Sequence, residues 1–128
     1  MPIEYQIDHN RRFVLARAIG DLTAEEIFKY QMEVWSLPET RGYNELIDMS
    51  NVEEIVSPTE EKIVELGKIS AYMDDRNIAT KFAIVASDPF AYGMGQLYEA
   101  YRNINPRSTK EVRVFRSMKD AMEWIEEK

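Results

Sequence analysis

The chain of 128 residues contains no cysteine and a single histidine. The lack of cysteine excludes disulfide bonds, thiolate nucleophiles and thiolate metal sites. His9 falls in a predicted turn without a second metal ligand beside it, so a histidine-based metal site or a Ser-His-Asp triad anchored there is not expected. We therefore predict a protein that needs no metal and no cofactor.

Long apolar runs and an excess of positive charge are also missing. No apolar stretch approaches the length that crosses a bilayer, and the first segment, MPIEYQIDHN, lacks the basic leader and apolar run of a secretory signal. The formal net charge of -7 argues against binding to nucleic acid and allows at most peripheral contact with a membrane. We expect a soluble, cytoplasmic protein with residues 1–128 in one domain.

Hydrophobic periodicity alternates between strand and helix along the whole chain. Thr23 and Glu26 have the spacing of a capping box at the start of the first helix, and Pro38 follows its end. Strands alternating with helices indicate crossover connections and an α/β fold. The predicted sheet is mixed but mainly parallel, with about five strands covered by about four helices in the order β-β-α-β-α-β-α-β-α. The predicted strands are 3–8, 12–20, 44–49, 81–87 and 111–116, and the helices lie within 21–37, 57–75, 88–104 and 117–128.

The second helix has two interpretations at its start, which reads SPTEE. Ser57, Pro58, Thr59 and Glu60 fit the N-cap and first three positions of a helix, with Ser57 and Glu60 as a capping box. The alternative is that Ser57 or Thr59 accepts a phosphate, which free helix amides would tolerate. Four neighbouring glutamates would repel that group, so the local charge favours the cap.

Asp48-Met49-Ser50-Asn51-Val52 and the segment that follows resemble the STAS domain, the fold of the anti-sigma-factor antagonist SpoIIAA. The blocks GDLTAEE, FAIVASDPFAYGMGQLYEAY and EVRVFRSMKDAMEWI are more similar to a divergent SpoIIAA-like or STAS/SEC14-like branch. The resemblance implies a SpoIIAA-like fold and a regulatory, protein-binding role. The similarity to the SEC14-like branch implies, as an alternative to protein binding, that the protein binds a hydrophobic ligand or a lipid.

The resemblance places a candidate switch loop on Asp48, Ser50, Ser57 and Thr59. In phosphorylated members of the family the acceptor is the second serine of D-S-S-G. An alignment without gaps puts Pro58 at that position, and proline cannot be phosphorylated. Control by a kinase is therefore not inherited directly.

Two acids lie at the ends of predicted strands, where open α/β sheets place their ligand crevices: Asp48 ends one strand and Asp88 comes just past another. Asp48 and Asp88 could form a catalytic acid and base at this edge. The alternative is structural: Asp88 caps the third helix, with Pro89 at its first position, and Asp48 binds loop amides. The structural interpretation is favoured because caps are common.

The third helix is unusually rich in aromatic residues and glycine, and its apolar surface is broader than one buried stripe. Close packing on the sheet explains the glycines, whereas a hinge or room for a ligand is the functional alternative. The aromatic residues favour core packing plus contact with a second copy of the chain, or else a ligand or membrane face. The candidate ligand or membrane face comprises Phe90, Tyr92, Gly93, Met94, Gly95 and Tyr98.

Basic residues gather towards the C-terminus of this acidic chain, and Arg102, Arg107 and Lys110 form a candidate anion patch. Across all these features the leading hypothesis is a non-enzymatic regulatory module that binds a protein partner. The alternative is a protein that binds a hydrophobic ligand or a membrane lipid. An enzyme that uses Asp48 and Asp88 is the third hypothesis.

Overall fold

The protein is described by a computed structural model that covers residues 3–56, 59–75 and 77–127. Within these residues five strands and four α-helices follow one another in the predicted order, and a short 3-10 helix, Pro38–Thr40, follows the first α-helix. The elements are β1 (Ile3–Asp8), β2 (Phe13–Leu22), α1 (Ala24–Trp35), β3 (Asn44–Ile55), α2 (Glu60–Tyr72), β4 (Thr80–Val85), α3 (Pro89–Ile104), β5 (Lys110–Phe115) and α4 (Met118–Glu126).

The five strands form one sheet in the order β1-β2-β3-β4-β5. β1 pairs antiparallel with β2 as a hairpin, and the other three pairs are parallel. Because each parallel strand lies next to the one before it, right-handed crossovers put α1, α2 and α3 on the same face of the sheet. The predicted mixed, mainly parallel α/β fold is therefore confirmed.

The two faces of the sheet support separate cores, because successive side chains of a strand point to opposite sides. Ile47 and Ile84 belong to the larger core beneath α1, α2 and α3. Leu46 and Val85 belong to the smaller core, which Trp124 and Ile125 of α4 cover on the other face. In the part of the chain that is described, no helix is long and apolar enough to cross a bilayer.

β3 is longer than predicted and runs past Met49 to Ile55. Its second half stays paired with β2, although the register shifts twice, once between Arg17 and Ile19 and once between Gly20 and Asp21. Gly20 has a φ of 75°, in the left-handed region that glycine tolerates best. This irregular extension carries the chain from the sheet to the start of α2.

The structure confirms some of the predicted helix N-caps and corrects another. The capping box of Thr23 and Glu26 and the Asp88 cap of α3 are confirmed. α2 begins at Glu60 with Thr59 as its N-cap, so the placement of Thr59 inside the first turn was wrong. The predicted cap, Ser57, lies outside the described residues.

Apolar spacing does not identify every buried residue of α2 and α3. Ile69 of α2 is 39% exposed and Ile104 at the end of α3 is 78% exposed, although both fit the apolar spacing. α2 instead buries Gly67, where an added Cβ would lie 2.8 Å from the ring of Tyr101 on α3. The close approach of α3 rotates the buried face of α2 away from Ile69.

Candidate functional site

Asp48 does not end a strand as predicted but lies inside β3, where it is buried. Its Oδ1 accepts a hydrogen bond from the backbone N–H of Ser50 at 2.9 Å. Asp48 shares the sheet face of Leu46, two residues earlier, and lines a shallow pocket with Arg17 and Met118 on the α4 side. The carboxylate therefore has a structural partner and faces away from α2.

Asp88 lies in the connection between β4 and α3, directly before the first residue of α3. Its Oδ2 accepts from the backbone N–H of Ala91 at 3.0 Å, which makes it the N-cap of that helix. Asp48 and Asp88 thus each accept a backbone amide, on elements that belong to different layers. The structure favours the structural interpretation of both residues over the acid–base pair.

The residues of the candidate switch loop are distributed over two layers. The Thr59 hydroxyl is exposed and accepts from the backbone N–H of Lys62 at 3.2 Å, which satisfies a free amide of α2. Ser50 is exposed on β3, and Asp48 lies under α4. Ser57 lies outside the described residues, so the described members of this set do not form one cluster.

A shallow, open groove runs between side chains on the outer side of α2. Ile69 and Tyr72 lie in it with 39% and 60% of their surface exposed. Glutamates from the first two turns line the other end of the same surface, and Glu65 lies one turn before Ile69. The groove is lined by Glu60, Glu61, Val64, Glu65, Lys68, Ile69 and Tyr72.

The aromatic helix α3 divides its apolar residues between the core and the surface. Tyr98 and Gly95 are buried, whereas Phe90 is 52% exposed. The Tyr92 ring lies 5.2 Å below the guanidinium of Arg116. The candidate ligand or membrane face is therefore not one surface, since its members point both inward and outward.

A small apolar cavity of about 60 Å³ lies between α3 and the sheet. Met94, Gly95 and Tyr98 contribute to its wall from α3, and Ile47 and Met49 from β3. A Cβ added to Gly95 would lie 2.8 Å from Val114 Cγ2, so this glycine allows α3 to pack directly on the sheet. Gly93 has no neighbour within 4 Å of such a Cβ.

Arg102 is not part of an exposed anion patch, because it is completely buried. Its guanidinium donates to Asp74 Oδ2 at 2.5 Å, to the Tyr98 hydroxyl at 2.9 Å and to Ser108 Oγ at 3.0 Å. The sequence already contained a signal for this position: Arg102 lies four residues after buried Tyr98, on the same face of α3. The prediction that it binds an external anion is therefore wrong.

The other two residues of that patch pack against aromatic rings. The Arg107 guanidinium lies 4.6 Å from the centre of the Tyr72 ring, and the Lys110 ammonium lies 4.8 Å from that of Trp35. Such stacking leaves the charge of each group available to a ligand. Arg107 and Lys110 remain candidates for anion recognition, at separate places.

Buried polar side chains connect the three helices of the larger core. Ser70 of α2 donates to Gln31 Oε1 at 2.6 Å, and Gln31 of α1 donates to the Tyr98 hydroxyl at 3.4 Å. Burial raises the pKa of Tyr98, although the neighbouring Arg102 opposes that change. The network continues through Arg102 to Asp74 at the end of α2.

Glu45 is a buried carboxylate that the sequence interpretation missed. Only 2% of its surface is exposed, and it accepts from Trp35 Nε1 at 2.8 Å and from the Tyr30 hydroxyl. Burial raises the pKa of Glu45 against the lowering effect of Lys110. Burial also raises the pKa of Tyr30 well above its ordinary value, and the Glu45 charge adds to that shift. Its spacing of two from Ile47 on β3 was the signal that Glu45 faces inward.

No protein-family model and no curated protein sequence matches this chain. Among solved structures, the chain is similar to an uncharacterized protein from the DUF3478 family with a SpoIIAA-like fold, from Shewanella loihica PV-4. The two chains share 15% sequence identity with a TM-score of 0.58, and the match covers 96% of this chain and 93% of the other. The structure and the comparison together show that this protein has a SpoIIAA-like α/β fold, as the sequence resemblance predicted.

Proposed function

We propose that this protein is a non-enzymatic regulatory module that binds a protein partner through the groove on the outer side of α2. The observation that carries the proposal is the exposure of Ile69 and Tyr72 within that groove. Exposed apolar side chains within a polar surround are typical of interaction surfaces. Tyrosine in particular contributes large contact area at interfaces.

The charge of the groove specifies the chemistry of the partner. Glu60, Glu61 and Glu65 line it together with Lys68, and the Arg107 guanidinium stacks on Tyr72 at its far end, so acidic groups outnumber cations there. A complementary partner is a basic segment that carries one or two large apolar side chains. Two copies of the chain that met through this groove would bring like charges together, so a homodimer is disfavoured at this surface.

An enzymatic role for Asp48 and Asp88 receives less support. Both carboxylates accept backbone amides at 2.9 and 3.0 Å, which accounts for their positions without any substrate. The proposal therefore assigns function to recognition by a surface and not to a reaction at the carboxyl edge of the sheet.

The test compares the natural chain with the double variant Ile69→Ser/Tyr72→Ser in quantitative affinity capture from the native host. Phe90→Ser is the matched control, because Phe90 is a similarly exposed apolar residue on α3. We expect one protein to be retained stoichiometrically by the natural chain and by the control. The double variant should lose it, because the apolar contact is removed while the acidic residues remain.

The retained protein is then purified and titrated at two salt concentrations. Binding that weakens as salt rises supports the predicted basic partner, since the surface charges are screened. Equal retention by the double variant, or salt-independent binding, would contradict the proposal. Sedimentation of each variant identifies a second copy as the occupant if the natural chain alone dimerises.

A hydrophobic ligand is the second candidate, and the apolar cavity beneath α3 is the observation that favours it. The cavity holds about 60 Å³ as it stands, so a lipid chain would require α3 to move away from the sheet. Organic extraction of protein from its native host, with liposome flotation, tests this candidate. A stoichiometric lipid in the extract supports it, whereas an empty extract and no flotation exclude it.

A further inference from the structure

We propose that the outer edge of β1 pairs antiparallel with β1 of a second copy of the chain, which joins the two five-stranded sheets into one continuous sheet. β1 and β5 are the edge strands, because each has a neighbouring strand on one side only. An edge strand presents unpaired backbone N–H and C=O groups, which can form hydrogen bonds with another strand. The two edges of this sheet differ in whether those groups are occupied.

The outer edge of β5 is already covered by side chains of α3. Asn103 donates from Nδ2 to the carbonyl oxygen of Val112 at 2.8 Å, and its Oδ1 accepts from the N–H of Val112 at 3.0 Å. Glu99 Oε1 accepts from the N–H of Val114 at 2.8 Å. These bonds occupy the groups that a further strand would need, so β5 is protected against strand addition.

The outer edge of β1 has no comparable cover. Alternate residues of β1 direct their N–H and C=O groups to β2, and the residues between them direct these groups outwards. Among the described residues, only those of β2 form hydrogen bonds with the backbone of Ile3–Asp8. The described part of the chain thus leaves the outward groups open to another strand.

The side chains of β1 form an apolar strip along this edge. Ile3, Tyr5 and Ile7 share the face of the larger core, and Tyr5 and Ile7 are only half-buried there. The charged side chains of the strand, Glu4 and Asp8, lie on the opposite face. β1 therefore lacks, on the face of the larger core, the charged residue that discourages pairing at many edge strands.

Symmetry restricts how two copies of β1 can pair. The two-fold axis of such an antiparallel pair is perpendicular to the sheet, so opposing residues lie on the same face and the axis lies between two copies of one residue. With the axis at Tyr5, Glu4 faces Gln6 of the other copy. In the same register Ile3 faces Ile7, and the two Tyr5 rings are neighbours. Apolar residues then oppose apolar residues, and no acidic residue opposes another.

The adjacent registers are disfavoured by charge. An axis at Gln6 would place Glu4 opposite Asp8, and an axis at Glu4 would bring its two copies together. Like charges directly opposite one another destabilise a strand pair, whereas aromatic and branched aliphatic pairs stabilise it. β1 is therefore self-complementary in one register, which identifies a second copy of the chain as the occupant of this edge. The interface does not use the groove on α2, so it stands independently of the proposed function.

Sedimentation equilibrium at one fixed salt concentration tests the proposal with a charge series at Gln6, whose side chain is exposed. We expect the natural chain to dimerise and Gln6→Glu to weaken the dimer at least about threefold, because two like-charged pairs form. Gln6→Lys should strengthen it by a similar factor, since each lysine faces Glu4. Adding Glu4→Gln to Gln6→Glu should restore the natural affinity, because the two members of the pair are exchanged. Gln96→Glu and Gln96→Lys are the matched controls, on an exposed residue of α3, and should leave the dimer unchanged.

Near-ultraviolet circular dichroism of each variant checks that the fold is retained before dimerisation is compared. The proposal is overturned if the natural chain and Gln6→Lys both remain monomeric up to about 1 mM chain. It is equally overturned if a dimer forms but responds alike to the substitutions at Gln6 and at Gln96. Loss of the dimer in Ile69→Ser/Tyr72→Ser would place the interface on the groove of α2 and would also overturn the assignment to β1.

Discussion

At the residue scale, Glu45 illustrates how the fold changes the chemistry of a single side chain. Its carboxyl group is held between Tyr30 and Trp35 on the inner face of β3. Burial raises its pKa above the ordinary glutamate value, because the charged form loses its hydration. The folded protein therefore holds the Glu45 proton more tightly than the unfolded chain does.

This difference in pKa predicts a pH dependence of stability. The contribution of Glu45 is fully present below the ordinary glutamate pKa of about 4.3 and is lost as pH rises through the higher pKa of the folded state. The free energy of unfolding of the natural chain, relative to Glu45→Gln, should thus fall over that window. Urea unfolding at a series of pH values measures it, with Glu123→Gln, which removes an exposed glutamate of α4, as the control. A difference that stays constant or grows with pH would show that the pKa of Glu45 is not raised.

The local sequence was sufficient to predict the helix caps but not the partners of the buried charged residues. Thr23, Glu26 and Asp88 act within three residues of their own position, so their roles could be predicted from spacing. Arg102 and Glu45 find their partners 28 and 15 residues away in the chain. No local pattern specifies such partners, and for that reason Arg102 was first assigned to an external anion.

At the element scale, α3 carries two glycines with opposite consequences. Gly95 faces the sheet, and a Cβ there would lie 2.8 Å from Val114 Cγ2. Gly93 faces open space, with nothing within 4 Å of the same atom. The two positions are one half-turn apart in the same helix, so they form a matched pair.

Alanine at each position should therefore change stability in opposite directions. Gly93→Ala should raise the free energy of unfolding by about 0.5–1 kcal/mol, because alanine loses less backbone entropy in a helix. Gly95→Ala should lower it by about 1–3 kcal/mol, because its methyl group forces α3 and β5 apart. Urea unfolding of both variants at one pH measures the two effects. Stabilisation by Gly95→Ala would mean that α3 does not pack closely on the sheet.

Apolar spacing locates a helix more reliably than it identifies the buried face of that helix. Ile69 of α2 and Ile104 of α3 fit the apolar spacing of their helices, yet both are exposed. Periodicity identifies an apolar stripe, but the neighbouring helix decides which side of it is covered. In α2, the close contact between Gly67 and Tyr101 of α3 determines which side of the helix is buried.

At the scale of the whole molecule, Arg102 connects elements that are distant in sequence. It joins the segment after α2, the body of α3 and the loop before β5 through Asp74, Tyr98 and Ser108. Both Arg102 and Asp74 have no exposed side-chain surface. Removing one partner of such a buried pair leaves an uncompensated charge in the interior.

Arg102→Met should consequently lower the free energy of unfolding by about 3–5 kcal/mol. Arg102→Lys should recover only part of that loss, because one ammonium cannot reach the three acceptors that the guanidinium binds. Thermal or urea unfolding measures both, and Lys119→Met on α4 should change stability by less than about 0.5 kcal/mol. If Arg102→Met were as stable as that control, the buried pair would not contribute to holding α2, α3 and β5 together.

The sequence by itself determined the alternation of strands and helices, the opening pair of strands, most helix caps and the α/β class, because each depends on periodicity and contacts of a few residues. The SpoIIAA-like form of that class was implied by the resemblance of several sequence blocks to the family. Tertiary structure alone decided that Asp48 lies under α4 while Thr59 caps α2 in the other layer. It also placed Glu45 against Tyr30 and Trp35, and Arg102 against Asp74. Such groupings depend on the order in which strands pair and on how closely helices approach, which long-range packing fixes.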